Sequence, residues 1–311
     1  MFDSLESLSE KIKSTGYVTE PIVLQLVFLA ARMNKPLLVE GPAGSGKTEL
    51  AYAIARTSGS PLERLQCYKG IDSAAAIGSF DTALQRLFLE TQSRIAEPTW
   101  ALIRDQLHTL EFFTPGPLLR ALLYEDRPCV LLIDELDKVD AAFEAMLLEL
   151  LSAWQLSIPK LGTVKARTIP FVVLTSNEER KIGDPLRRRS FYLRFEFPTL
   201  DREKEILSRR SEVVVSNTCA QVAGFGKALR NLCLTKPPSI SEMLDLARVL
   251  ELLGVSEIAT DMRDILLPVL VKTESDRQVL MMSDQWESIL YDAMKYRDET
   301  PKQGETPCAS K

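Results

Sequence analysis

The chain has 311 residues, 45% of them hydrophobic and 26% charged, which suits a soluble globular protein of one large or two modest domains with apolar surface enough for a real core. A formal net charge of -5 gives no bulk attraction to polyanions, so nucleic-acid binding would need a local basic patch and is not expected. Five cysteines without C-x-x-C spacing and the single histidine, His108, argue against a disulfide framework, a zinc ribbon and a histidine-based triad, and a reducing cytoplasm is the expected compartment.

The opening MFDSLESLSEKIKS is amphipathic, acidic and Ser-rich, with no basic segment followed by an apolar core, so no signal peptide is expected. No apolar run reaches the ~18 to 20 residues that a membrane span needs. Leu37-Leu38-Val39 reads as a short buried strand. A glycine-rich loop and a helix from Lys47 follow, with the helix end marked by Ser58-Gly59-Ser60-Pro61. A second strand is expected over Leu62 to Cys67, and helix from about Asp81 to Thr109 with a break near Pro98. Pro117 suits the first turn of a helix, and Phe112 and Phe113 before it are expected to pack in the core. The runs Cys129 to Ile133 and Phe171 to Leu174 are continuous and aliphatic, as in a parallel sheet covered on both faces. Strands alternating with helices predict an α/β three-layer core.

After Pro198 the apolar residues recur at three- and four-residue spacing and no strong strand candidate appears. The expected division is an α/β core over 1–200, a smaller all-α domain over 201–296, and a polar, disordered tail over 297–311.

Chemistry concentrates at strand ends. GPAGSGKT fits G-x-x-x-x-G-K-[ST], the P-loop or Walker A pattern. Gly41, Gly44 and Gly46 let the backbone turn and aim its amides at phosphate oxygens, so Gly41, Pro42, Ala43, Gly44, Ser45, Gly46, Lys47, Thr48 and Glu49 form the expected nucleotide-binding segment. Lys47 is expected on the β- and γ-phosphates and Thr48 on Mg²⁺. Val130 to Glu135 reads as a Walker B strand, with Asp134 the second Mg²⁺ ligand and Glu135 the group that orients or deprotonates the attacking water. Asn177, ending a third strand, is placed to reach the γ-phosphate. Among Arg187, Arg188 and Arg189, Arg188 is the first candidate and Arg189 the second for an arginine acting in trans on a neighbour's site, with at least one of the cluster structural.

These elements together resemble the AAA+ ATPases. Phe113 to Ser152 looks like the MoxR branch, and the segments Leu65 to Gly78, Phe143 to Ala166 and Val172 to Pro198 are similar to its CoxD-type subgroup, implicated in maturing the metal centre of carbon monoxide dehydrogenase. The resemblance spans roughly Tyr17 to Leu253. It implies a P-loop NTPase core with a helical lid, a homo-oligomeric hexameric ring with ATP held between subunits, a partner bearing a von Willebrand factor A domain, and a client enzyme.

It also implies an insert after Walker B. Ser152 to Thr168 offers strand-like pieces around a Leu161-Gly162 turn, a candidate β-hairpin. Tyr68, Lys69 and Gly70 lie where ring ATPases often carry a substrate-contacting loop. The lid departs from the family pattern: Ser241 or Glu242 stands where a sensor arginine is expected, Ser239 and Glu242 form a capping box, and Lys236 is a candidate substitute. Trp100, Trp154 and Trp286 are expected to pack. The expected function is Mg²⁺-dependent ATP hydrolysis that remodels or matures a client. The alternatives are an activase for a carboxylase or nitric oxide reductase, a nucleic-acid motor, and a nucleotide-gated binding module that hydrolyses slowly.

Overall fold

A computed structural model describes residues 1–92, 100–210, 216–255 and 257–298. Contacts divide the chain into two compact units, Met1–Pro42 with Lys47–Phe195, and Ala43–Gly46 with the chain from Glu196 onward.

The first unit opens with α1 (Leu5–Ser14), whose start is capped by the Ser4 hydroxyl accepting the Ser7 N–H, and α2 (Pro21–Arg32), with proline in its first turn. Then come β1 (Leu37–Glu40), α3 (Lys47–Ser58), β2 (Leu62–Gln66), α4 (Ser73–Ile77), β3 (Gly78–Phe80), α5 (Thr82–Gln92), α6 (Trp100–Leu107), β4 (Phe113–Pro115), α7 (Pro117–Leu123) and β5 (Val130–Asp134). The unit closes with α8 (Ala141–Ala153), β6 (Gln155–Ile158), β7 (Gly162–Lys165), β8 (Phe171–Ser176), α9 (Asp184–Arg189) and β9 (Phe191–Arg194).

Five strands form one sheet in the order β2-β5-β8-β1-β9, every pairing parallel. Side chains alternate between its faces. Leu37, Val39, Val130, Leu132, Phe171 and Val173 pack with α1, α2 and α3, whereas Leu38, Leu131, Ile133, Val172 and Leu174 pack with α7 and α8. Both faces are therefore covered, which explains why the strands read as unbroken apolar runs. The order sets β8 between β5 and β1, so the carboxyl ends of all three meet at one edge of the sheet.

Three details differ from the sequence expectations. β2 ends at Gln66, one residue before the expected Cys67. A small antiparallel pair, β3 with β4, was not evident, since each strand has only three residues. Phe113 of this pair stacks edge-on against Phe80, and Phe112 against Phe88. The hairpin exists as β6–β7, but Ile158 pairs with Gly162. Its turn is therefore Pro159-Lys160-Leu161, with Lys160 at φ 69°, and not Leu161-Gly162. Trp154 caps α8 in the left-handed region at φ 51° and packs half-buried on the core beneath the hairpin.

The second unit holds α10 (Leu200–Arg210), α11 (Ser216–Arg230), α12 (Ile240–Leu252), α13 (Arg263–Leu270), α14 (Glu274–Met281) and α15 (Ser283–Asp298). Its core gathers around Phe225 and Trp286, whose rings meet edge-on with centroids 5.5 Å apart. The capping box starts α12 as expected: the Ser239 N–H donates to the Glu242 carboxylate at 2.9 Å. Lys236 donates its N–H to Asp276 Oδ2 at 3.0 Å. The expected tail falls mostly on residues 299–311, outside the described residues; α15 itself continues to Asp298. The Trp100 side chain is also outside them.

Candidate functional site

β1 delivers the chain to the glycine loop. The Gly41 N–H donates to the Ser176 carbonyl at 3.2 Å, and Gly41 sits at φ 146°. A Cβ there would lie 2.1 Å from the Phe195 carbonyl oxygen, so no other residue fits. Gly44 and Gly46, at φ 71° and 90°, continue a turn that L side chains resist. The buried Ser45 hydroxyl has no hydrogen-bond partner among the described residues, a vacancy in polar bonding that a phosphate oxygen would fill. Lys47 begins α3 and is buried. Its Nζ donates to the Gly41 and Pro42 carbonyls at 2.8 and 2.7 Å. Burial lowers its pKa below the ordinary lysine value, against the opposing pull of Asp137, Asp134, Glu178 and Glu135. Glu49, in the first turn of the helix, pairs with Arg56.

The end of β5 faces this helix start. Thr48 Oγ1 donates to Asp134 Oδ1 at 3.0 Å, bringing together the two residues expected to hold Mg²⁺. A second hydroxyl, Thr175 Oγ1 from β8, donates to the same oxygen at 2.5 Å and accepts the Glu135 N–H at 2.9 Å. The other oxygen, Oδ2, takes Arg64 Nε at 3.2 Å and an Arg64 terminal nitrogen at 2.6 Å. Burial pulls the Arg64 pKa down, and the hydrogen bonds and charge of Asp134 raise it above its ordinary value on balance.

Glu135 departs from the strand in a left-handed conformation, φ 58° and ψ 49°, opening the short 3₁₀ turn Leu136–Lys138. A non-glycine residue pays roughly 1–2 kcal/mol for that geometry, and such strain clusters at functional sites. Asp137, one turn on and buried, accepts the Asn177 N–H at 3.2 Å and the Glu179 N–H at 3.0 Å. It thereby fixes the exit from β8 and the place of Asn177.

Thr48 and Asp134 supply hard oxygen donors 3.0 Å apart, which suits Mg²⁺, an ion held by one or two protein ligands with phosphates and water completing the shell. No group of three or more His, Cys, Asp or Glu is arranged to hold a metal among the described residues. The donor set thus fits a metal that arrives with a phosphate ligand.

The arginine cluster divides. Arg187 places one terminal nitrogen 2.6 Å from each oxygen of the buried Glu40, the last residue of β1, and its guanidinium lies 5.3 Å from the Tyr192 ring centroid. Arg187 is thus the structural member of the cluster. Arg188 and Arg189 are exposed, and neither forms an ion pair among the described residues. Buried Glu144 on α8 pairs with Arg180 and accepts the Gly183 N–H at 2.9 Å, anchoring the start of α9.

The sequence profile of the ATPase family associated with various cellular activities (AAA) matches residues 37–199. The chain belongs to the AAA ATPase family. Its parallel five-stranded sheet with helices on both faces and the helical region after it are the AAA arrangement of the P-loop NTPase fold. Members of this family bind nucleotide, usually with Mg²⁺, and commonly assemble into rings. An uncharacterized protein of Staphylococcus epidermidis is 24% identical over 256 residues, 79% of this chain and 88% of that protein. One of Staphylococcus haemolyticus is 24% identical over 255 residues, 79% of this chain and 87% of that protein. Among solved structures, the RuvB Holliday junction branch migration motor of Thermotoga maritima aligns with a TM-score of 0.47 and 18% identity, over 89% of this chain and 74% of that one. No helix among the described residues is long and apolar enough to cross a membrane.

Sequence reasoning named the AAA loop, Asp134, Glu135 and Asn177, but missed the residues that hold them. Of Arg64, Thr175, Asp137 and Glu40, Glu40 carried the clearest signal, since a charge that ends a fully buried strand needs a partner.

Proposed function

We propose that this protein is a Mg²⁺-dependent ATPase of the MoxR type that spends hydrolysis on remodelling or maturing a client protein. The observation that supports the ATPase reading most is the Thr48–Asp134 contact at 3.0 Å beside the left-handed Glu135. Gly41 to Glu49 would cradle the triphosphate with backbone amides, and Lys47 would exchange its loop carbonyls for the β- and γ-phosphates. Thr48 and Asp134 would hold Mg²⁺, which when bound neutralises charge on the β- and γ-phosphates. Glu135 would take the proton of the attacking water, and Asn177, fixed through Asp137, would orient that water. In a ring, Arg188, or Arg189 beside it, would reach the neighbouring subunit's γ-phosphate. Their exposure next to the anchored Arg187 supports that role.

The MoxR assignment rests on the resemblance of Phe113 to Ser152 and on the hairpin β6–β7 at the end of α8. With it come a hexameric ring, a von Willebrand factor A domain partner and a client such as a molybdenum hydroxylase. The test is a Glu135→Gln trap expressed in the native cell, with copurifying proteins identified by mass spectrometry. A von Willebrand A protein or a metalloenzyme held only in the presence of ATP is expected. Recovery of DNA-processing proteins or nucleic acid would replace the maturation reading with a motor.

A further inference from the structure

Among the described residues, Arg64 is the cation on Asp134 that the nucleotide-site reading does not use. It reaches across from the edge strand β2 and donates twice to Oδ2, at 3.2 and 2.6 Å, while Oδ1 already accepts Thr48 and Thr175. All the accepting capacity of a carboxylate is thus engaged. Asp134 is 4% exposed and Arg64 42%, so the carboxylate is fixed but the guanidinium can swing into water. It also has a second acceptor, Gln66 Oε1, two residues along the same strand. A guanidinium leaving Asp134 keeps that bond and regains hydration, so its release is not opposed by an unpaired buried donor.

A divalent ion bound to Asp134 beside the guanidinium would set three unit positive charges against one carboxylate at a few ångströms. In a partly buried site that repulsion is poorly screened. We propose that Arg64 is the counter-ion of Asp134 in the metal-free protein and competes with Mg²⁺ for it, so that Arg64 sets the Mg²⁺ concentration the site requires. The proposal rests on Asp134 being a metal ligand. It assigns β2 a regulatory part: any movement of Arg64 toward Gln66 frees the carboxylate and favours loading with Mg²⁺-nucleotide.

The experiment titrates Mg²⁺ into wild type, Arg64→Ala and Arg64→Gln at fixed fluorescent ATP analogue, and follows melting in EDTA. Arg120→Gln is the control, because Arg120 pairs with Glu63 on the same strand at 2.8 Å without touching Asp134. Both Arg64 variants are expected to reach half-maximal binding at about three- to ten-fold lower Mg²⁺. They should also melt lower than wild type in EDTA, since Asp134 loses its counter-ion, and recover with Mg²⁺ and nucleotide. Arg120→Gln should keep the wild-type Mg²⁺ requirement. If Arg64→Ala fails to fold, Arg64→Gln, which keeps amide donors for Asp134, carries the test. An unchanged or higher Mg²⁺ requirement in the Arg64 variants overturns the competition and makes Arg64 an orienting partner or a bystander. Wild-type protein that binds the analogue without any response to Mg²⁺ overturns the metal-ligand reading itself, and this inference with it.

Discussion

Each unit of the molecule contains an arginine that grips a buried carboxylate with two nitrogens, and the two grips differ in what else they touch. In the helical unit, Arg230 meets both oxygens of Glu203 at 2.7 and 2.6 Å, donates Nε to the Pro238 carbonyl at 2.8 Å, and lies 5.0 Å from the Phe197 ring centroid. Its side chain is 9% exposed and that of Glu203 1%. In the sheet unit, Arg64 meets only one oxygen of Asp134, shares itself with Gln66, and is 42% exposed to water. The first pair is closed: each guanidinium nitrogen has an acceptor and little solvent is at hand to replace a lost partner. The second is exchangeable. The same chemistry therefore serves as framework where both partners are desolvated, and as a replaceable contact where only the carboxylate is.

Truncation separates the two pairs most visibly. Arg230→Ala leaves Glu203 buried without its partner and is expected to destabilise the helical unit by about 3–5 kcal/mol, read as lost amide protection in α11 and α12 by hydrogen exchange. Arg64→Ala should cost well under half of that, because solvent already screens the half-open guanidinium. Equal losses would erase the distinction between the pairs.

Asp137→Asn comes next. One of the two backbone N–H groups that Asp137 accepts, from Asn177 and Glu179, loses its acceptor, an expected loss of about 1–3 kcal/mol. Either loss loosens the exit from β8 on which Asn177 sits, so ATP turnover should fall while nucleotide affinity stays near wild type. Affinity and turnover falling together would place Asp137 in binding and not in positioning.

A further expected effect appears as a dependence of stability on pH. Cys67, just past β2, and Cys129, just before β5, are buried. Burial first, then the nearby carboxylates Asp134, Asp137 and Glu135, push the Cys67 thiol up to about 12; burial and then Glu63 push Cys129 to about 12 as well. The folded state keeps these protons after the unfolded chain releases them near pH ~8.5. The stabilisation is therefore complete below that pH and is lost at up to about 1.4 kcal/mol per pH unit and thiol as pH rises toward 12. Urea unfolding between pH 8 and 10 should show that slope, and Cys67→Ala/Cys129→Ala should flatten it. Exposed Cys233 should react with an alkylating reagent at neutral pH, unlike buried Cys67 and Cys129.

Much of the sheet unit was legible because its signals are local. A parallel strand buried on both faces reads as an apolar run, and the loop needs its glycines at fixed spacing. What escaped the sequence depends on partners far apart in the chain. Arg64 and Asp134 are separated by 70 positions and meet only because β2 and β5 pair. Glu40 and Arg187 are 147 apart and meet only because α9 returns to the end of β1. The hairpin turn was misplaced because Gly162 looks like a turn residue; it does take a positive φ of 90°, but it already pairs with Ile158 and opens β7, and Lys160, at φ 69°, is the residue inside the turn. In the helical unit the Ser239–Glu242 box was readable, being four residues long, whereas the Arg230–Glu203 pair, 27 positions apart, was not.

The most direct test of the account measures ATP affinity and phosphate release side by side for wild type and Glu135→Gln in the presence of Mg²⁺. The account predicts binding within a few-fold of wild type and turnover reduced by at least about 10²-fold, the scale of losing a positioned base. Turnover at the wild-type rate in Glu135→Gln, or a wild-type protein that binds no ATP, would contradict it.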